Sequence, residues 1–85
     1  MEKSFSSICI SINGCNSNLT VLNQPWTIEY DPNRGIIIIR DSSGNVVIKW
    51  KVLTIDEMGN WYVKFEDREF LIFVDGDCLY IREKE

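Results

Sequence analysis

Turn-forming residues recur along this chain at intervals too short for helices of ordinary length. Asn13-Gly14, Asn23-Gln24-Pro25, Asp31-Pro32-Asn33-Arg34-Gly35, Asp41 to Asn45, Asp56 to Asn60, Asp67-Arg68 and Asp75-Gly76-Asp77 each combine residues that cap backbone groups or accept a positive φ. The segments between them are rich in Ile, Val and aromatic residues, which suit a pleated, half-buried surface, and the chain contains no Ala, the best helix former. The expectation is an all-β fold with strands at 5–12, 19–22, 26–31, 35–41, 46–55, 61–66, 69–75 and 77–83. Seven to eight antiparallel strands in mostly meander order would close as a small barrel or a two-layer sandwich. With 85 residues and 9.9 kDa, residues 1–85 form one domain with one modest core.

The pattern D-x-x-G-N-φ-x-φ-K occurs twice, starting at Asp41 and at Asp56. Asp at the first position of a turn accepts backbone hydrogen bonds and Gly at the fourth adopts the left-handed conformation, so the echo reads as two hairpins using the same turn. Hairpin register then follows. Asp56 opposes Asn60, which sets Ile55 opposite Trp61 and Leu53 opposite Val63. A loop at Asp67-Arg68 sets Phe65 opposite Phe70, and one at Asp75-Gly76 sets Ile72 opposite Leu79. These registers place Leu53, Ile55, Trp61, Val63, Phe65, Phe70, Ile72, Val74, Leu79 and Ile81 on one face, the expected core. In 46–55 the apolar residues switch from even positions (Val46, Ile48, Trp50) to odd ones (Leu53, Ile55), which predicts a β-bulge near Lys51 to Leu53.

The opposite face collects Ile37, Ile39, Val47, Lys49, Tyr62, Lys64, Leu71, Phe73, Cys78 and Tyr80, too apolar for a face left to water. The N-terminal strands, with Ile8, Ile10 and Ile12, can cover only one face. An aromatic-rich patch with lysines at its rim is the composition of an interaction surface. Ile37, Ile39, Val47, Lys49, Tyr62, Lys64, Leu71, Phe73 and Tyr80 are therefore the expected partner-binding residues, for a protein partner or for a second copy in a homodimer.

Catalysis and metal binding have little to work with. The chain has no His, which removes the usual base at neutral pH and every nucleophile–His pairing. No catalytic residue, cofactor or metal ligand is expected: the C-x-x-C spacing of structural zinc sites is absent, and each Asp falls in or beside a turn. Net charge −4 with a pI near 4.7 argues against nucleic acid and anionic membranes as partners. Two alternatives stand beside the protein-interaction reading. Tyr62, Lys64 and Lys49 could stack and hold a single nucleic-acid strand if the charges segregate, and a small barrel could hold a hydrophobic ligand. Three Cys without a secretion signal read as reduced thiols, and with no apolar run long enough to span a bilayer the expected location is cytoplasmic.

Overall fold

The computed structural model describes residues 2–84. Nine strands run β1 (Glu2–Phe5), β2 (Ser7–Ile12), β3 (Cys15–Thr20), β4 (Trp26–Asp31), β5 (Ile36–Arg40), β6 (Val46–Ile55), β7 (Trp61–Phe65), β8 (Arg68–Asp75) and β9 (Cys78–Glu83), with no helix among the described residues. They form one open mixed sheet in the order β1-β4-β5-β6-β7-β8-β9-β2-β3, not a closed barrel. From β4 to β9 the order is the expected meander. The departure lies at the N-terminus: β1 pairs antiparallel with β4, while β2 pairs parallel with β9.

The run expected as one strand over 5–12 is therefore two strands, joined at Ser6. Ser6 N–H and Ser7 N–H both donate to the Asp77 carbonyl at 2.8 and 3.1 Å, and Val21 N–H donates to the Ser6 carbonyl at 3.1 Å. One covalent step at Ser6 thus carries the chain from one edge strand, β1, to β2, the strand beside the other edge, so the sheet must coil about its apolar face. Phe5, Ile28, Ile37, Ile39, Ile72, Leu79 and Val63 are fully buried inside that coil, with Trp61 beside them at 2% exposure. Burial of this contiguous cluster is what offsets the entropy of ordering so many non-local strands.

The repeated turn takes the form the echo implied. Asp41 Oδ1 accepts from the N–H groups of Ser43 and Asn45 at 2.9 and 3.0 Å, and Asp56 Oδ1 accepts from those of Met58 and Asn60 at 2.9 and 3.0 Å. Gly44 and Gly59 sit at φ 86° and 84°, where any side chain would be strained.

Two other hairpins are each shifted from the sequence expectation. The β7–β8 loop is Glu66-Asp67, setting Val63 opposite Phe70, and the β8–β9 loop is Gly76-Asp77, setting Ile72 opposite Ile81. Each shift preserves the parity of the pairing. Trp61, Val63, Phe70, Ile72, Leu79 and Ile81 consequently remain together in the core.

Strand β6 carries two irregularities. Leu53 is the extra residue where the register with β7 shifts between Val52 and Thr54, at the place the sequence indicated, and Val47 is the extra residue where the register with β5 shifts. The bulge returns Ile55 to the side of Trp61, but Leu53, Ile55 and Phe65 lie toward the rim and are 45%, 39% and 50% exposed, so they are not core. Asn16 to Asn18, polar and read as a connection, belong to a strand because the Asn13-Gly14 turn folds them back on β2 in six regular pairs.

Candidate binding face

Register assigns every strand residue to one side of the sheet, and the side away from the core can be read row by row. One row crosses Ile36, Lys51, Lys64 and Glu69; the next crosses Thr54, Tyr62, Leu71, Arg82, Ser11 and Asn16; a third crosses Phe73, Tyr80, Cys9 and Asn18. This outer face brings together Lys49, Tyr62, Lys64, Leu71, Phe73 and Tyr80 from the expected set. Val47 stands apart from it at the β6 bulge, exposed. Ile37 and Ile39 are corrected: pairing of Ile37 with Trp50 and of Ile39 with Ile48 turns both inward, and neither has any exposed surface. What lies on the outer side of β5 is Ile38, flanked by Glu29 and Lys49.

The face is less greasy and more basic than its sequence suggested. Lys51 and Lys64 are directly opposed across β6 and β7, a pairing of like charges that costs stability. Arg82 lies one row away. Carboxylates of this side stand mainly at its margins, Glu2 and Glu29 on β1 and β4 and Asp31 and Asp75 at hairpin turns. Glu69 is the acid among the bases, 3.6 Å from the Lys84 Nζ, which also lies 5.8 Å from the centre of the Tyr62 ring. A chain that is acidic overall has thus gathered Lys51, Lys64, Arg82 and Lys84 around a single carboxylate, Glu69, across the middle of one face. Arg82 and Lys51 were the functional candidates missed: Arg82 lies two residues after Tyr80 and so on its face by alternation, a signal the sequence did carry, whereas the side of Lys51 depends on where the β6 bulge falls.

Aromatic rings stand in the same field. Phe73 and Tyr80 form a directly opposed pair on β8 and β9, stacked with ring centres 4.9 Å apart and planes 9° from parallel. Two shallow grooves of about 350 and 460 Å³ adjoin across this face and share Ser11 and Arg82; Tyr80 lines the first, and Tyr62, Leu71 and Lys84 line the second.

Cys9 and Cys78 close a disulfide on this face, which corrects the expectation of reduced thiols. The parallel register sets Ser7 opposite Cys78 and Cys9 opposite Tyr80, so the two cysteines are diagonal neighbours with Cα atoms 6.3 Å apart, within bridging range. Their separation of 69 residues hid this from the sequence. Cys15 is free and exposed.

No helix of the described residues is long and apolar enough to cross a membrane. Compared with known proteins, the chain matches no family model, no curated protein and no solved structure.

Proposed function

We propose that the chain is a non-catalytic binding module that takes an acidic protein partner on the outer face of β6 to β9. The observation that carries the reading is the opposed Lys51–Lys64 pair, with Glu69 as the one carboxylate in its row, on the same face as Arg82 and the Phe73–Tyr80 stack. Like charges held face to face lower fold stability, and an anionic ligand relieves that repulsion on binding. Phe73 and Tyr80 supply rigid anchors of the kind that dominate interface energies, with Lys49, Lys51 and Lys64 as the charged surround. The disulfide supports a working environment that is oxidising rather than the reducing cytosol, and so a protein rather than a nucleic acid as the ligand.

Two immobilised probes test this: a Glu/Tyr copolymer and an oligothymidylate, each loaded at low salt and eluted by a salt gradient. Retention on the copolymer, lost in Lys51→Glu and in Lys64→Glu and weakened in Phe73→Ala, is the expected result. Retention on the oligonucleotide alone would transfer the face to single-stranded nucleic acid. Absence of retention on either probe would overturn the proposal.

A further inference from the structure

The two edges of the sheet are defended very differently. β1 is four residues long, begins Glu2-Lys3 and ends at the bend at Ser6. β3 is six residues long, fully exposed, in unbroken register with β2, and carries neither charge nor Pro nor bulge. Indeed no Asp, Glu, Lys or Arg occurs from Ser4 to Ile28. Short length, charge, Pro and bulges are the devices by which proteins stop edge strands from pairing, and β3 has none of them.

Its hydrogen-bonding pattern is fixed by the turn before it. A two-residue Asn13-Gly14 loop closes on Ile12–Cys15 as a hydrogen-bonded pair, so Cys15, Ser17 and Leu19 bond to β2. The bond from Val21 N–H to the Ser6 carbonyl continues the same phase. Asn16, Asn18 and Thr20 therefore turn their N–H and C=O groups outward, along the free edge.

We infer that β3 is a strand-addition edge whose occupant is the β3 of a second copy, joined antiparallel about a two-fold axis through Asn18. This inference is independent of what the outer face binds. That register alone pairs all three outward residues at once: Asn18 meets Asn18 of the other copy and Asn16 meets Thr20, giving about six backbone hydrogen bonds. The opposed Asn18 amides each carry a donor and an acceptor, so they can bond to one another. On the inner side Leu19, 52% exposed, comes diagonal to its counterpart across Ser17. A foreign strand would find no charge on β3 to select it, whereas selection by register needs only the identical sequence. The contact is one strand wide and falls below the roughly 1,200 Å² of standard stable complexes, so dimerisation is weak and concentration-dependent. Since the axis is normal to the sheet, both outer faces look the same way, and the dimer presents two binding faces side by side.

Sedimentation equilibrium up to millimolar protein, with the disulfide intact, tests the idea on wild type and two variants. Asn18→Pro removes only an outward N–H, which an edge strand tolerates, and Asn18→Lys places like charges opposite each other on the axis. Each should weaken dimerisation about tenfold or more while circular dichroism stays that of wild type. A nitroxide on the native Cys15 thiol should report an intermolecular distance of about 20 Å, six residues of strand rise. A wild type that stays monomeric, a dimer that survives both variants, or a label separation far from that value would overturn the proposal.

Discussion

Asp41 and Asp56 are where single side chains hold the most local structure. Each carboxylate collects backbone N–H donors and the side-chain amide of the Asn four residues on, at 3.2 Å for Asn45 and 3.0 Å for Asn60. The backbone N–H of Asn45 or Asn60 is the largest of the causes that hold each pKa below the ordinary carboxylate value. A depressed folded-state pKa means stability that is present above the unfolded-state value and is lost as pH falls through the folded one. Carboxyl-carbon NMR should find both midpoints below those of ordinary surface Asp, with the melting temperature declining over the same acid window; ordinary midpoints at both would refute this. Glu66 is the opposite case. It holds φ 58° in a tight loop that lacks Gly, a conformation that costs a side chain about 1–2 kcal/mol. Glu66→Gly should raise stability by about 0.5–1 kcal/mol, part of the gain being lost to glycine's freedom in the unfolded chain, and chemical denaturation measures it. Both Asp turns were legible in the sequence because the ligand and its donors lie within five residues. The strained Glu66 was not, since nothing in its side chain marks a positive φ.

Strands β7 and β8 show how far element-scale reasoning reaches. Alternation placed Phe65 and Phe70 on the same side of the sheet, and they are. Alternation says nothing about where along that side the core ends. Phe70 is 8% exposed within the central cluster, whereas Phe65, beside Trp50 at the rim, is 50% exposed. Phe70→Ala should therefore cost about 3–5 kcal/mol through lost burial and the cavity left behind, and Phe65→Ala less than half as much. Equal costs would show that the rim is as tightly packed as the centre. Strand β6 makes the same point in reverse. The switch from Trp50 to Ile55 revealed the Leu53 bulge because it breaks the two-residue period, while the bulge at Val47 falls between apolar neighbours and left no such break.

At the scale of the molecule, the Cys9–Cys78 bridge ties the sheet's one parallel pair across a separation of 69 residues. In the chain-entropy treatment a loop of that size restricts the unfolded state by about 4 kcal/mol, so Cys9→Ser or reduction should shift the denaturant midpoint accordingly. An unchanged midpoint would mean that the Ser6 crossing and the Ile core hold β2 against β9 unaided. The sequence by itself determined the all-β class, the segments in which the turns fall, the hairpin order from β4 to β9 and, away from the first bulge of β6, the sharing of faces within those strands. These follow from period-two geometry and from turn chemistry acting over a few residues. Only the tertiary structure decided that the N-terminal run splits at Ser6, that β2 lies parallel to β9, and that Ile37 and Ile39 face inward. Those outcomes depend on which distant strands become neighbours, and that choice is made by burying one continuous apolar face, a requirement no local segment can express.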